Sequence, residues 1–505
     1  MKTLLSKSGL SSLLLSTLFM GIAWWLPGSV LSAVFGWLSS IMLVSGTRKT
    51  SGAYLPLYLA GVLFQPLGFY WLFHTISDFG GFGVLPTTLI FLLYAVLSAV
   101  QWLIFAFFWR NLPQKFDFLL IRTATAWTIS EFISIRIFPW YFGHTQIAFI
   151  PFAQAADLAG ALLITFIMLW LSEALLEIIN GKKKSVPVYV PFFIFMLLLT
   201  YGEFRALKFK NPEGKKFNVA LIQANISTVE KHNQKLFLDN TRRYISLSGK
   251  VSENTLIIWP ESVILNPVNV NTPTVFEERQ LALLPTGKTY LIGSLTYSGP
   301  GQYHNSAIGI NPDGRILKPY HKIILMPFGE YTPLSGIFPW LETIHPTPNF
   351  IAGDDVQVLT LKVGTKNIKA APLICYEDIV PKLSRRAVHY GAEVLVNLTN
   401  DAWFGNTVAP HQHHLIASFR AIENRRYLLR STNSGLTAIV DPLGQTVAQL
   451  PVYSEGILKK EIVALKAKSV YTEYTGDWPW WMLFVISLFS IAGTLFLGKN
   501  KSRHD

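Results

Sequence analysis

Three polar residues in the second half of the chain carry the groups that nucleophilic catalysis at a carbonyl requires. Cys375 is the only cysteine among the 505 residues, and it comes directly after the apolar run 370–374. Glu261 follows the apolar run 256–260, and Lys322 stands directly beside another such run. A thiolate can attack a carbonyl carbon, a carboxylate can take the proton, and an ammonium group can stabilise the oxyanion. Together the three residue types predict covalent catalysis, in which the cysteine sulfur attacks a carbonyl carbon and a tetrahedral intermediate forms.

Each of these residues also has a plain structural explanation. A lone cysteine is often an inert, buried small side chain, since free cysteine is among the most buried residue types. Glu261 could cap a helix, and Lys322 could be a surface charge. What favours chemistry is their shared placement, because the ends of strands are where an α/β sheet presents its catalytic groups.

Residues 216–470 have the pattern of an α/β domain. Predicted strands occupy 217–223, 255–259, 289–293, 307–310, 369–374, 393–398 and 436–440. Helical patterns separate several of them, at 228–250, 378–390 and 410–430. Asn-Pro-Asp-Gly at 311–314 and Asp-Pro-Leu-Gly at 441–444 predict hairpin turns. Because strands alternate with helices but also form hairpins, the sheet should mix parallel and antiparallel pairs.

The chain as a whole is too apolar for a soluble enzyme. Half of all residues are hydrophobic and 14% are charged, and the mean hydropathy is +0.35, which indicates a membrane protein. Windows of about 19 residues predict eight transmembrane helices, at 10–26, 29–45, 53–75, 84–109, 117–137, 155–179, 186–202 and 479–497. The predicted organisation is seven transmembrane helices in 1–205, a catalytic domain in 216–470, an eighth helix in 478–498 and a cytoplasmic basic tail in 499–505.

Lysine and arginine residues predict which side of the membrane each loop faces, because short cytoplasmic loops are rich in them. One set of loops and ends carries Lys2, Lys7, Arg48, Lys49, Arg110, Lys115, Lys182, Lys183, Lys184, Lys499, Lys501 and Arg503. The alternate turns, at 27–28, 76–83 and 138–154, contain neither residue type. Both termini are therefore predicted to be cytoplasmic, with residues 216–470 outside the cytoplasmic membrane. The net charge of +13 is then a topology signal, and no nucleic-acid partner is expected.

The segments around the three candidates resemble the Glu–Lys–Cys blocks of the nitrilase (carbon–nitrogen hydrolase) superfamily, whose domain is an αββα sandwich. The resemblance rests on Trp-Pro-Glu-Ser at 259–262, the segment around Lys322 and Cys-Tyr-Glu at 375–377. Two further motifs are Pro-Phe-Gly-Glu-Tyr at 327–331 and Asn-Leu-Thr-Asn-Asp-Ala-Trp-Phe-Gly at 397–405. With the helices on both sides of the domain, they make the whole chain similar to the apolipoprotein N-acyltransferase family.

This resemblance implies a role for each candidate. Cys375 would be the nucleophile, Glu261 the general base and Lys322 the residue that stabilises the oxyanion. Supporting or substrate-binding residues are also implied, namely Glu330, Tyr376, Glu377, Asn305 and Trp403. No metal and no cofactor are implied.

The implied reaction is a two-step acyl transfer at a bacterial cytoplasmic (inner) membrane. The acyl chain would pass from the sn-1 ester of a phospholipid, expected to be phosphatidylethanolamine, to a thioester on Cys375. It would then pass to the α-amino group of the diacylglyceryl-cysteine of an apolipoprotein. We expect a multi-pass, monomeric protein whose catalytic domain is periplasmic.

Some residues depart from the family pattern or suggest other roles. His232 stands where the resemblance implies a tryptophan on a mobile flap, so that role is not carried over to it. His411, His413 and His414 could suggest a metal site, but neighbouring histidines on a helix do not share one face. We expect capping and surface packing from them instead. The arginines within 425–430 are expected to solvate the same helix, unless one reaches a lipid phosphate.

Two other classes of function fit part of the pattern. A membrane-tethered amidase or nitrilase would use the same three residues, but an anchor needs one helix rather than eight. A transporter or channel with an outer domain would need broken helices in pairs and ionisable residues along a path, whereas the charges here cluster on two predicted spans. An acyl adduct on Cys375 would indicate an acyltransferase, and release of ammonia from small amides would indicate an amidase.

Overall fold

The computed structural model of the chain describes residues 7–181, 186–344 and 347–501, without the side chains of residues 79, 228, 232, 344 and 497–501. Several residues used in the predictions above lie outside this description: Lys2, the lysines at 182–184, Arg503, and the side chains of His232, Lys499 and Lys501. The chain forms two compact units, Met1–Lys210 with Ser469–Asp505, and Asn211–Lys468.

The first unit is helical. Its helices are α1 (Lys7–Trp25), α2 (Val30–Lys49), α3 (Tyr54–Phe69), α4 (Trp71–Gly80), α5 (Val84–Ser98), α6 (Val100–Asn111), α7 (Lys115–Phe118), α8 (Arg122–Ile133), α9 (Ile150–Ala153), α10 (Ala156–Ala159), α11 (Ala161–Ile179), α12 (Val186–Lys210) and a C-terminal helix, Trp478–Lys501. Within the described residues, six helices are long and apolar enough to cross a membrane, or seven if α3 and α4, bent by 67°, form one span. The six are α1, α2, the pair α5 and α6, α11, α12 and the C-terminal helix.

The predicted span at 117–137 does not form a membrane-length helix, so the count falls short of the eight expected. Helix α8 has 12 residues and is about 18 Å long, whereas the hydrocarbon core of a bilayer is about 30 Å thick. All its residues from Arg122 to Glu131 are buried within the unit. Its threonines and Glu131 therefore face protein, which explains why this segment is more polar than the others.

The second unit contains thirteen strands and five helices within its described residues. The strands are β1 (Lys215–Gln223), β2 (Thr255–Ile258), β3 (Ile264–Asn269), β4 (Thr289–Gly299), β5 (Gln302–Ile310), β6 (Tyr320–His321), β7 (Leu359–Val363), β8 (Lys366–Ile374), β9 (Val394–Thr399), β10 (Leu428–Thr432), β11 (Ala438–Val440), β12 (Thr446–Gln449) and β13 (Gly456–Ala464). The helices are α13 (Thr228–His232), α14 (Phe237–Gly249), α15 (Trp340–Ile344), α16 (Pro381–His389) and α17 (Ala409–Asn424).

The strands form two sheets. The first has the order β13-β1-β2-β4-β5-β6, with β3 beside β4, and the second has the order β12-β11-β10-β9-β8-β7. Both contain parallel pairs, such as β1 with β2 and β8 with β9, and antiparallel pairs, such as β4 with β5 and β7 with β8. The mixed sheet expected from the sequence is confirmed.

Alternation along the strands creates the layers. On β1, Val219 and Leu221 belong to the core between the two sheets, whereas Ala220 and Ile222 belong to a second core with Tyr244 of α14. This is the period of two that a strand buried on both faces requires. Helices α16 and α17 contact the second sheet at β8 and β10. The layers are therefore α, β, β and α, which confirms the expected sandwich.

Gly293 on β4 allows the chain that leaves β2 to pass very close to it. A methyl group at this position would stand 2.2 Å from the carbonyl oxygen of Pro260 and 2.6 Å from the Cα of Glu261. The backbone amide of Val263 donates a hydrogen bond of 2.9 Å to the Gly293 carbonyl. The absence of a side chain at Gly293 therefore helps to determine where Glu261 leaves the sheet.

We expect Gly293→Ala to lower the free energy of unfolding of the second unit by about 1–3 kcal/mol, because the added methyl group must displace backbone. The matched control is Gly309→Ala on β5, where the nearest atoms belong to the flexible side chains of Leu361 and Leu317, at 3.0 and 3.1 Å. This variant should lose less stability. Thermal unfolding of the purified proteins measures both, and equal losses would contradict the explanation.

Candidate active site

The candidate nucleophile begins a strained turn. Strand β8 ends at Ile374, and a 3₁₀ turn then runs from Cys375 to Ile379. Cys375 has a φ of 55°, which is uncommon for any residue other than glycine. Such a conformation costs of order 1–3 kcal/mol and persists only where the surrounding structure holds it. Cys375 as a residue is half-buried.

Glu377 supplies much of the restraint on this turn. Its buried carboxylate accepts hydrogen bonds from the backbone amides of Ile374 and Ile323, both at 2.7 Å, and from the Tyr320 hydroxyl at 2.8 Å. Burial raises the pKa of Glu377 to about 7, although these hydrogen bonds oppose the increase. Because Ile323 directly follows Lys322, Glu377 fixes the lysine segment to the cysteine turn.

Lys322 is held between two carboxylates. Its side chain is only 1% exposed, and its Nζ lies 2.7 Å from Oε2 of Glu330 and 3.5 Å from Oε1 of Glu261. Burial by itself would lower the pKa of Lys322, but the carboxylates of Glu330 and Glu261 raise it well above its usual value. The ammonium group is therefore a permanent positive charge at this site.

Asn305 joins the two carboxylates from the other side. Its amide nitrogen Nδ2 donates hydrogen bonds to Oε1 of Glu261, at 2.8 Å, and to Oε1 of Glu330, at 2.6 Å. The backbone amide of Lys322 donates to the Asn305 carbonyl at 2.8 Å. Four predicted residues, Glu261, Asn305, Lys322 and Glu330, thus form one buried polar cluster.

The cluster acts electrostatically on the cysteine. Burial raises the pKa of the Cys375 thiol well above its usual value, the charge on Glu261 adds to the increase, and Lys322 opposes it. The resting side chain is therefore a neutral thiol, and a base must take its proton before it can attack. Tyr376 follows directly in the turn, and burial raises its pKa to about 12.

Trp403 is on a different turn from the cysteine. It is on the 3₁₀ turn Asp401–Phe404, which follows β9, and its side chain is 37% exposed. The structure therefore brings together the predicted residues Glu261, Asn305, Lys322, Glu330 and Glu377 around the Cys375 turn, and it places Trp403 on a neighbouring turn. Among the described residues, no group of three or more His, Cys, Asp or Glu side chains could hold a metal ion.

Lys231 is a residue of this site that the sequence reasoning missed. Its Nζ donates a hydrogen bond of 3.2 Å to the backbone carbonyl of Glu261. Burial lowers the pKa of Lys231 to about 8, while the charges on Glu261 and Cys375 act in the opposite direction. The neighbouring His232 departs from the family pattern, but nothing in the local sequence distinguishes Lys231 from a surface lysine.

A second charged cluster lies behind the cysteine turn. His413 is buried, with Nε2 at 2.7 Å from Oδ1 of Asp378 and Nδ1 at 3.1 Å from Oδ1 of Asp401. The Nε of Arg430 lies 2.9 Å from Oδ2 of Asp378. Burial by itself would lower the pKa of His413, but the charge of Asp378 raises it to about 9. The expectation that His413 packs at the surface is wrong, because two carboxylates hold it in the interior.

The arginines that follow α17 in the chain are also interior residues. Arg425, Arg426 and Arg430 are all buried, contrary to the expectation that they solvate the helix. Arg425 donates to the carbonyl of Pro442, Arg426 to the carbonyl of Ala392, and Arg430 to Asp378. Their guanidinium groups therefore satisfy interior acceptors rather than reach a lipid phosphate.

Comparison with known proteins identifies the second unit first. Residues 218–470 match the carbon-nitrogen hydrolase family, in agreement with the sandwich and its cysteine-centred site. The protein is thus a carbon–nitrogen hydrolase-type enzyme in a chain with membrane-length helices. Residues 11–174 match the apolipoprotein N-acyltransferase N-terminal domain. The chain belongs to the apolipoprotein N-acyltransferase family.

Relatives with that name match most of the chain. The apolipoprotein N-acyltransferase of Geobacter metallireducens is 29% identical over 457 residues, which cover 87% of each chain. That of Haemophilus ducreyi is 29% identical over 95% of this chain and 94% of its own. That of Wigglesworthia glossinidia brevipalpis is 30% identical over 85% of this chain and 87% of its own. Among solved structures, Saccharomyces cerevisiae Nit3, a nitrilase-superfamily member, has a TM-score of 0.37 and 19% identity over 49% of this chain and 90% of that chain.

The protonation of His413 should make the free energy of unfolding depend on pH. Its folded pKa, about 9, lies above the usual value of about 6.5, so the imidazolium stabilises the fold fully below pH 6.5 and this contribution is lost as the pH rises through about 9. We therefore expect the loss of stability caused by His413→Gln to be largest near pH 6.5 and to shrink towards pH 10. Thermal unfolding across this range measures the difference between variant and wild type.

His411→Gln is the matched control, because His411 is on the same helix but exposed. Partial removal of its ring from water lowers its pKa although the charge of Asp401 opposes this, so it does not titrate between pH 7 and pH 10. Its difference from wild type should stay constant over that interval. A constant difference for His413→Gln as well would show that the His413 contacts do not depend on its charge.

Proposed function

We propose that this protein transfers an acyl chain from the sn-1 position of a membrane phospholipid to Cys375, and then to the α-amino group of the diacylglyceryl-cysteine of an apolipoprotein. This transfer would complete lipoprotein maturation, and phosphatidylethanolamine is the expected donor. The observation that carries the proposal is the buried cluster of Glu261, Lys322 and Glu330 beside the Cys375 turn, in a chain that belongs to this family.

The first half-reaction forms the thioester. Glu261 takes the proton of the Cys375 thiol as sulfur attacks the ester carbonyl, and the Lys322 ammonium stabilises the oxyanion. Collapse of the tetrahedral intermediate breaks the ester bond, and the departing glycerol oxygen takes the proton from Glu261. The products are an acyl-enzyme and a lysophospholipid. A base is needed because burial keeps the resting cysteine in its thiol form.

The second half-reaction forms the amide. The free amine of the acceptor attacks the thioester carbonyl, and Lys322 again faces the developing negative charge. Glu261 takes a proton from the attacking nitrogen and returns one to the departing Cys375 sulfur. A buried site favours this outcome, since water that reached the thioester would hydrolyse it.

The two carboxylates of the cluster have different roles in this proposal. Glu330 makes the shorter contact with Lys322, at 2.7 Å against 3.5 Å for Glu261. Glu330 therefore compensates most of the lysine charge. Glu261 is then the carboxylate that gains and loses a proton, and Asn305 keeps both carboxylates in place through its amide nitrogen.

The proposed location is the bacterial cytoplasmic (inner) membrane, with both termini cytoplasmic and the catalytic domain periplasmic. The distribution of lysine and arginine between alternate loops supports this topology. The proposed boundaries are seven membrane-crossing segments in 1–205, the catalytic domain in 216–470, an eighth crossing in 478–498 and a cytoplasmic tail in 499–505. The segment around α8 would be one of the eight, as a broken crossing. We propose that the protein acts as a monomer on lipid and lipoprotein that reach it within the bilayer.

Mass spectrometry of the purified protein tests the first half-reaction directly. After incubation with phosphatidylethanolamine in detergent, wild type should gain the mass of one acyl chain on Cys375, and Cys375→Ala should gain none. Glu261→Gln and Lys322→Met should form the adduct about 10²- to 10⁴-fold more slowly. Lys318→Met is the control, because Lys318 lies in the same segment and is exposed.

Two results would overturn the proposal. Acyl transfer to a lipoprotein peptide by Cys375→Ala would remove the covalent mechanism. An unmodified wild-type protein that releases ammonia from small amides would instead indicate an amidase.

A further inference from the structure

Two lysines flank Glu261, and their surroundings differ. Lys322 is sealed in the interior and contacts the carboxylates of both Glu261 and Glu330. Lys231, on α13, is only partly buried, and its Nζ donates to the backbone carbonyl of Glu261 rather than to the carboxylate. In the described part of the chain, no carboxylate forms an ion pair with Lys231. The ammonium form of Lys322 is therefore stabilised by two carboxylates. The ammonium form of Lys231 is stabilised by one backbone carbonyl.

Lys231 also faces open space beside Glu261. Together with Glu261 and Asn240 it lines a cavity whose other walls include the apolar side chains of Phe237 and Leu265. Its Nζ contacts the backbone carbonyl of Glu261 directly, so it is close to the base. A polar group that enters beside Glu261 would thus approach Lys231 as well.

In the proposed second half-reaction, the acceptor brings one proton more than Glu261 can accept. An α-amino group has a pKa of about 7.7–8.0, so most of the acceptor arrives as an ammonium ion without a lone pair for attack. Glu261 is already used to carry a proton from the attacking nitrogen to the departing sulfur. The first proton of the ammonium ion must therefore go elsewhere, and Lys322 cannot take it because it is already protonated.

We propose that Lys231 is the proton acceptor that prepares the second substrate: its neutral amine takes one proton from the α-ammonium group of the acceptor, and the free amine then attacks the Cys375 thioester. The N–H bond of the acceptor breaks, a new N–H bond forms on Lys231, and Lys231 later releases this proton to solvent. This inference rests on the proposed function. Burial, which lowers the pKa of Lys231 to about 8, matches the lysine to its substrate group and makes the transfer nearly balanced in free energy.

Separate measurement of the two half-reactions tests this role. Acyl-enzyme is formed with phosphatidylethanolamine, then a synthetic diacylglyceryl-cysteine peptide is added, and the loss of acyl mass from Cys375 is followed. Lys231→Met and Lys231→Arg should both discharge to the peptide about 5- to 10-fold more slowly than wild type at pH 7, because only about a tenth of the peptide amine is free at that pH. Both should approach the wild-type rate at pH 9, where the amine of the peptide is already free.

The arginine variant distinguishes a role of Lys231 in proton transfer from a role as a permanent positive charge. Arginine keeps the positive charge but does not give up its proton in proteins, so it should fail at pH 7 as the methionine variant does. Hydroxylamine, which is uncharged at pH 7, should discharge the acyl-enzymes of all three proteins at similar rates. Lys235→Met, at an exposed position four residues further along, should behave as wild type with both nucleophiles.

Several results would overturn the inference. A wild-type discharge rate for Lys231→Arg at pH 7 would mean that Lys231 acts as a permanent cation, for example towards the phosphate of the donor. A defect that is equal at pH 7 and pH 9, or equal for peptide and hydroxylamine, would mean that Lys231 only supports the position of Glu261. Failure of the proposed function itself gives a different result, because wild type would then form no acyl-enzyme at all.

Discussion

The pairing of the Lys322 ammonium with two carboxylates is the interaction on which the rest of this site depends. Removing a charge from water costs several kcal/mol unless opposite charges and hydrogen bonds compensate for it. Glu330 and Glu261 supply that compensation, and Asn305 holds the two carboxylates together. If either carboxylate is lost, the lysine becomes an insufficiently paired charge in the interior. The contacts that set the electrostatics of the candidate site therefore also restrict how the segment can be arranged.

The two sheets of the sandwich each contribute part of the site. Lys322 follows β6 at the edge of the first sheet, whereas Cys375 follows β8 in the second. Glu377 joins them, because its carboxylate binds backbone amides on both segments. The left-handed conformation of Cys375 is thus restrained by a contact between layers. Packing of the two sheets and assembly of the site are therefore one event, and the site cannot form before the layers come together.

The cysteine turn is also held from its other side. Asp378 belongs to the same turn as Cys375, and it pairs with His413 of α17 and with Arg430 of β10. His413 continues to Asp401, on the turn that carries Trp403. The outer helical layer therefore has more than a packing function, since it supplies charged groups that connect the nucleophile turn to the neighbouring turn. An apolar core at this position could not fix both turns through directional hydrogen bonds.

Local patterns were enough to propose Glu261, Lys322 and Cys375 as candidates, because a polar residue at the end of an apolar run can be recognised from a few adjacent positions. The α/β class and the apolar helices were predicted for the same reason, since periodicity and hydropathy are properties of short windows. Tertiary structure alone decided that Lys231 faces Glu261 and that His413 is buried between two aspartates. These contacts join residues that are far apart in the chain, as from Lys231 to Glu261 and from Asp378 to His413. Burial also changes the protonation of a side chain, and the residues beside it in the sequence do not show whether it is buried.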